Sequence, residues 1–367
     1  MIQIPFTILR GLIGSFFLLL ILSCAAANPL LIDPDRPAHH TDEGFKNLYI
    51  ETPDKTFFSY MKMRYLSDVK WADHEGESDH VPFQLLNLDT ILNPSQGVQV
   101  SWLGHSTFLI QLDGVTILTD PVFSNRASPF TFVGPKRYVP HVVDYANLPK
   151  IDYVIISHNH YDHLDIETIR HLGNDPIYFV PLKLAQWFKD NGIAPDRVRE
   201  MDWWDKAEEP DLKIQAMPSQ HWSARGLSDR YESLWASWYV QLGGRSLWFA
   251  GDTGYNDRQF KEIGDMTGGV DFGFIPIGGY LPRSFMADFH INPEEAVKIH
   301  RDVKASVSFG MHWGTFPLTA EAPMAPVLEL AKQVKAYELD EGEFMTLDLG
   351  ETVQFTPPMI YSQRLLM

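Results

Sequence analysis

Ser157-His158-Asn159-His160-Tyr161-Asp162-His163-Leu164 is the stretch whose reading decides the fold. It follows directly on Tyr153-Val154-Ile155-Ile156, which reads as a buried strand. Four potential metal ligands, His158, His160, Asp162 and His163, fall within six residues. No single face of a regular helix or strand holds all four. They suit a loop at a strand end that wraps around an ion. Imidazole and carboxylate donors without thiolate fit Zn²⁺, and also iron or manganese.

Around this loop the chain alternates strand-like and helix-like runs. Val98 to Leu103, Phe108 to Leu112 and Val115 to Thr119 read as strands, with Asp113-Gly114 as a hairpin turn. Asp152 to Ser157, Ile177 to Val180, Leu212 to Met217, Trp238 to Leu242, Leu247 to Ala250, Val270 to Ile277 and Ala305 to Met311 follow as strands. Helices are expected at Ile166 to Leu172, Leu184 to Asn191, Asn256 to Ile263 and Pro293 to Arg301, the last with Pro at its first turn. Strands dominate, so the helices must cover sheet faces.

Three more ligand-type residues sit just beyond strands. His221 follows Leu212 to Met217 through Pro218-Ser219-Gln220. Asp252 follows Leu247 to Ala250, and His312 follows Ser306 to Met311 directly. Strand ends on one sheet edge can converge on one pocket. The set is then five histidines and two aspartates: His158, His160, Asp162, His163, His221, Asp252 and His312.

At this point the sequence resembles the metallo-β-lactamase superfamily, whose mark is His-x-His-x-Asp-His followed by a His, an Asp and a last His. Asn125 to Pro129, Gly134-Pro135-Lys136-Arg137, His158 to Asp165, Pro218 to Trp222, Gly251 to Tyr255 and His312-Trp313-Gly314-Thr315-Phe316 narrow the likeness. They resemble the N-acyl-phosphatidylethanolamine-hydrolysing phospholipase D family, from about Gly44 to Leu349. The resemblance implies an α/β (α+β) fold, a four-layer αββα sandwich, holding two zinc ions in a groove at one sheet edge. By position, His158, His160 and His221 would hold one zinc. Asp162, His163 and His312 would hold the other, with Asp252 bridging. Two cations flanking a water lower its pKa and neutralise phosphoryl charge, so a bridging hydroxide could attack phosphorus. The implied reaction releases phosphatidate and an N-acylethanolamine, with Asp162 and Asp252 catalytic through the metals. His290 matches a family histidine near the substrate and could protonate the leaving group.

The composition agrees with such chemistry. The chain has 367 residues, 30 Lys plus Arg and 47 Asp plus Glu, for a formal charge of −17. That charge argues against a nucleic-acid partner, because phosphate backbones are bound by Lys and Arg. A bound metal could still supply positive charge locally. Cys24 is the single cysteine, so an intramolecular disulfide and a cysteine-built metal site are excluded. Arg10 precedes an apolar run from Leu12 to Leu22 and then Ser23-Cys24-Ala25, which reads as an export signal with a loose lipobox acylated at Cys24. The run is short of the roughly 20 residues that span a bilayer. The expected organisation is a leader over 1–24, a tether and arm over 25–87, and a catalytic domain over 88–367. The chain would be an exported, membrane-anchored bacterial lipoprotein. Cleavage after Ala25-Ala26-Ala27 would instead leave it soluble in the periplasm or secreted. A homodimer is one option for its assembly.

Asp120, at the end of Val115 to Thr119, is a candidate to orient a ligand histidine. His105 is expected to be structural or to support a ligand. Lys136 and Arg137, beside Phe130, Phe132 and Tyr138, could contact a headgroup or phosphate. Trp102, Trp203, Trp204, Trp222 and Trp313 could line a lipid groove, Trp222 and Trp313 foremost because they adjoin ligands. In the segment 57–66, Phe58, Met61 and Tyr65 lie at helical spacing and are expected to pack the arm onto the domain, the other reading being contact with lipid. The expected partners are a phospholipid substrate and a membrane surface. The competing readings are a lactonase or other metal-dependent hydrolase on the same scaffold, an RNA-processing nuclease, a di-iron redox enzyme, and a non-catalytic, metal-stabilised envelope lipoprotein.

Overall fold

Three apolar runs joined by tight turns open the first sheet as an antiparallel meander: β1 (Val98–Gly104), β2 (Thr107–Leu112) and β3 (Val115–Thr119). Their residues are buried throughout, as expected where both sheet faces are covered. β4 (Tyr153–Ile155), β5 (Ile177–Pro181) and β6 (Val198–Met201) extend the sheet in parallel. A second sheet runs through β7 (Lys206–Glu208), β8 (Leu212–Met217), β9 (Ser237–Leu242), β10 (Arg245–Phe249), β11 (Val270–Pro276), β12 (Ala305–Met311) and β13 (Phe344–Met345). β14 (Thr352–Thr356) and β15 (Ile360–Ser362) return to the first sheet and pair beside β1. This computed structural model describes residues 36–51, 53, 55–356 and, for their backbone, 360–362. By its contacts the chain divides into residues 1–40 and a unit from Thr41 onward, and the fold is that of the second unit. Cys24 and the apolar run before it lie outside the described residues.

The two sheets face each other across an aromatic seam. Phe108 on β2 meets Phe274 on β11 at 4.9 Å between ring centroids, and Phe355 on β14 meets Phe272 on β11 at the same distance. Burying such side chains contributes about 1.5–3 kcal/mol each. On the outer faces, helix Pro293–Asp302 packs against β11 and β12, and helix Ala185–Asp190 against β6. The architecture is the αββα sandwich. Asn292 and Glu295 start helix Pro293–Asp302 with a reciprocal capping box, and Pro293 fills the first turn.

Two elements depart from the sequence reading. The helix expected from Asn256 begins at Gln259, because the Asn256 side chain accepts from the backbone N–H of Arg258 and Gln259 and caps the turn before it. Helix Phe57–Leu66 forms, but Phe58 and Tyr65 do not pack it down: they are 80% and 65% exposed. Met63 is buried instead, and Tyr60 meets the Phe285 ring at 6.4 Å. The helix therefore turns a face to the domain other than the one its spacing suggested. Residues 81–86 are held by backbone bonds from Gln84 N–H to Leu349 O and from Leu86 N–H to Val142 O. Among the described residues no helix is long and apolar enough to cross a membrane.

The topology fixes where chemistry can occur. β3, β4 and β5 are parallel, as are β10, β11 and β12, and β8 shares the direction of β10 through two antiparallel pairings. The loops after β3, β4, β8, β10 and β12 thus leave from the C-terminal edges of the two sheets. Those are the loops that carry Asp120, the histidine stretch, His221, Asp252 and His312.

Candidate metal centre

The histidine loop turns back on itself after β4. His163 N–H and Leu164 N–H both bond to the His160 carbonyl, which folds the stretch into one tight bend. Arg225 braces it from the second sheet, donating from Nη1 to the carbonyls of Asn159 (2.7 Å) and Leu164 (2.8 Å). Its guanidinium also lies over the rings of Tyr161 and Trp187. Three residues at the site, His105, Asp120 and His312, carry positive φ without being glycine. Such backbone is unusual for these side chains and persists where the surroundings impose it.

The bend and the facing strand ends bring the ligand atoms into two groups. His158, His160 and His221 form one, with His160 Nδ1 at 2.9 Å from His158 Nε2 and 3.4 Å from His221 Nε2. Asp162, His163 and His312 form the other, with Asp162 Oδ2 at 3.4 Å from His163 Nε2 and 3.5 Å from His312 Nε2. Asp252 Oδ2 stands between them, 3.1 Å from His312 Nε2, 3.2 Å from His163 Nε2 and 3.8 Å from His221 Nε2. All seven expected residues meet in one place. His105 joins the second group, with its Nε2 at 3.0 Å from Asp162 Oδ2 and its ring 4.1 Å from that of His312.

Behind these atoms most of the rings are held. Asp120 accepts His163 Nδ1 at 2.6 Å and also accepts the backbone N–H and hydroxyl of Ser157. This is the orienting contact anticipated for it. Ser157 Oγ lies 2.8 Å from His158 Nδ1, and Phe289 O lies 3.0 Å from His221 Nδ1. His160 alone presents Nδ1 to the cavity. His312 Nδ1 and His160 Nε2 have no hydrogen-bond partner.

The donor set fits metal cations. Burial, reinforced by neighbouring histidines, keeps His158 well below its ordinary value, and burial keeps His160 and His221 down at about 3. Neutral imidazoles that face one another at 2.9–3.4 Å with little proton affinity leave lone pairs pointed at a shared point. Ligands about 2.0–2.1 Å from a tetrahedral ion stand about 3.3 Å from one another, close to the spacings here. In the second group burial opposes charge, but Asp252 and Asp162 hold His163 well above its ordinary value and His312 at about 9. Burial likewise resists ionisation of Asp162 and Asp252, yet the adjacent imidazoles hold both carboxyls well below their usual range. Here the demand for positive charge falls on protons, which a cation would displace. Buried Asp252 Oδ1 and His163 and His312 Nε2 make no hydrogen bond, as ligand atoms awaiting a cation would.

Residues 115–313 match a family described as a beta-lactamase superfamily domain. Among curated proteins, N-acyl-phosphatidylethanolamine-hydrolyzing phospholipase D 1 of Caenorhabditis elegans is 43% identical over 267 residues, 70% of this chain and 75% of the relative. The chain belongs to the N-acyl-phosphatidylethanolamine-hydrolysing phospholipase D family of the metallo-β-lactamase superfamily. A metal-dependent hydrolase of Hyperthermus butylicus is 30% identical over 263 residues, 70% of this chain and 99% of the relative. Among solved structures, a metallo hydrolase from Ignicoccus hospitalis superposes with a TM-score of 0.54 at 24% identity, covering 71% of this chain and 99% of that one. This member of the phospholipase D family is therefore a metal-dependent hydrolase of the metallo-β-lactamase fold.

The remaining expected residues separate in this phospholipase D family member. His290 lies at the site, with Nδ1 at 3.8 Å from Asp252 Oδ2. Trp222 is half-buried and meets the His160 ring edge-on at 4.2 Å, with Arg230 over its own face. Trp313 is buried, stacked on Trp102 at 4.6 Å with its Nε1–H on Gly310 O, so it supports the site from within the core. Trp203 is buried as well. Arg137 is a correction to the headgroup reading. It is buried, donates from Nη2 to Val122 O and lies over the Phe316 ring, and burial pulls its pKa down to about 10. Lys136 is exposed, as are Phe130 and Phe132. Sequence reasoning missed Arg225 and Ser157. A half-buried arginine bonded to distant carbonyls carries no local spacing signal, whereas Ser157 directly precedes the first histidine.

Proposed function

We propose that the chain is a dizinc phosphodiesterase of phospholipase D type. Its substrates would be N-acyl-phosphatidylethanolamine or related glycerophospholipids, and its products phosphatidate and an N-acylethanolamine. The observation that carries this reading is the Asp252 carboxylate set between two three-residue ligand groups, in a chain whose curated relatives include an enzyme named for that reaction. His158, His160 and His221 would hold one ion, Asp162, His163 and His312 the other, and Asp252 both. Two such ions lower the pKa of a water between them and neutralise charge on phosphoryl oxygens. Asp120 and Ser157 fix the rings of His163 and His158, so the site needs little rearrangement as charge develops. His290, with Nδ1 3.8 Å from Asp252 Oδ2, would offer its ring N–H to the leaving oxygen, and Trp222 would border the substrate.

The proposed setting is a membrane surface, reached through export and acylation of Cys24. Exposed Phe130, Phe132 and Val133 and, on helix Phe57–Leu66, exposed Phe58, Tyr65 and Leu66 support contact with lipid.

The test is metal analysis of the purified protein together with mass spectrometry of products from a panel of phospholipids. About two zinc ions per chain and zinc-dependent release of phosphatidate are expected. Hydrolysis of lactones or carboxylic esters alone would overturn the phosphodiester reading. His290→Ala should keep its metal and lose turnover by roughly 10²-fold or more. Full turnover would remove His290 from the chemistry.

A further inference from the structure

Two candidate ligand imidazoles have a second nitrogen buried without a partner, His160 at Nε2 and His312 at Nδ1, and of the two it is His312 that turns Nε2 to the cavity. His158, His163 and His221 each have an Nδ1 partner, whereas His312 Nδ1 is buried without one. A ring so placed must be oriented by packing. On one side lies the His105 ring, 4.1 Å away. On the other lies Gly278-Gly279, the loop that leaves β11. A Cβ on Gly278 would stand 2.2 Å from His312 O. One on Gly279 would stand 3.0 Å from His312 Cε1 and equally close to His290 Nδ1, and Gly279 has a φ of +82°. The loop backbone is therefore a wall in direct contact with both histidines, and its position sets theirs.

That wall is pinned by a single side chain. Glu321 is buried, and no cation pairs with it among the described residues. Its Oε1 accepts the backbone N–H of Gly279 (2.6 Å) and Tyr280 (3.1 Å) and the Thr319 hydroxyl (2.8 Å). Its Oε2 accepts the N–H of Leu281 (3.0 Å). Three consecutive backbone donors converge on one carboxylate, and charge-assisted bonds of this kind are the strong ones. Burying a carboxylate without a counter-ion is costly, so its place here calls for a return.

We propose that Glu321 is a positioning residue that seats His312, through the 279–281 backbone, in place of the missing Nδ1 hydrogen bond. The inference rests on the metal-site reading above for its consequence, and on hydrogen bonding alone for its structural part. Glu321→Gln keeps the size of the side chain but sets an N–H donor against a backbone donor. Gly279→Ala attacks the same wall from the other side with Glu321 intact.

The first measurement uses chelator-treated protein with labelled histidine. In Glu321→Gln and Gly279→Ala the His312 Cε1–H resonance should move, while that of His221 stays. A His312 resonance unmoved in both folded variants would overturn the proposal. The second measurement adds Co²⁺ and follows its visible spectrum in titration. One of two binding steps should weaken by roughly 10- to 100-fold, the usual effect of losing an outer contact to a metal-bound side chain. The other step should keep its affinity. A variant with lower thermal stability but wild-type titration and spectrum would reduce Glu321 to a structural clamp and overturn the proposal. Wild-type protein that takes up no Co²⁺ would break the metal-site reading, and the histidine resonances would still decide the role of Glu321.

Discussion

The two sheets supply the candidate centre in opposite ways. The first delivers four ligand-type residues from one bend after β4, His158 to His163. The second delivers three, His221, Asp252 and His312, each from a different strand end. The bend is short and held by its own turns, by Asp120 and by Arg225. The ends of β8 and β10 are stitched to one another instead, and His312 N–H bonds across to His105 O. Ser219 donates its hydroxyl to Asp252 O, Gln220 N–H bonds to Thr253 Oγ1, and Gly254 N–H bonds to Gln220 O. Concentrating ligands in a loop makes half a site by local sequence. Spreading them over strand ends makes the other half depend on the register of the whole sheet.

The largest expected effect comes from removing the one carboxylate that both ligand groups share. Asp252→Ala should lose bound metal and activity together, by about 10³-fold or more in turnover, equal to about 4 kcal/mol. Metal analysis and product assay on the same sample check this. Retention of both would mean that the two groups work without a bridge. Asp120→Asn should act on the first-sheet bend alone. It keeps the shape but loses the charged acceptor of His163 Nδ1, so metal affinity should fall roughly 10- to 100-fold by chelator competition. Equal affinity would show that the bend holds His163 unaided.

The smallest effect is placed away from the site, where helix Pro293–Asp302 covers the second sheet. His300 is buried, with Nδ1 at 2.8 Å from Ser308 Oγ, and burial pushes its pKa down to about 4. The unfolded chain binds this proton near pH 6.5, so folding is favoured above that pH and loses ground as pH falls toward 4. About 1 kcal/mol should be gone by pH 5.5. Denaturant melts between pH 7.5 and 5.5 should show this slope, and His300→Gln should flatten it. If the variant keeps the slope, the titrating group lies elsewhere.

Legibility followed the same divide. The bend could be read from its spacing, and the strand ends from ligand types that follow apolar runs. Helix Ala325–Ala336 and the strands β6 and β7 went unread, since the two strands are short and charge-rich. Lys136-Arg137 shows the limit of adjacency. Two basic neighbours look alike in sequence, yet only tertiary packing put one of them inside. Phe58 and Tyr65 show the limit of periodicity, which identifies a face but not which way it turns. Arg225 and Glu321 reach backbone groups 61 to 66 and 40 to 42 residues away, so no local pattern could have marked them.

The stack of Trp102 on Trp313, tilted by only 23°, ties the centre to an optical signal. Trp313 is joined to His312 by a peptide bond, and Trp102 Nε1–H bonds to the His105 carbonyl. Two indoles at 4.6 Å couple their electronic transitions, and that coupling depends steeply on the angle between them. A shift of His312 on metal loading should therefore alter the circular dichroism of this indole pair, giving the unlabelled protein its own gauge of the centre.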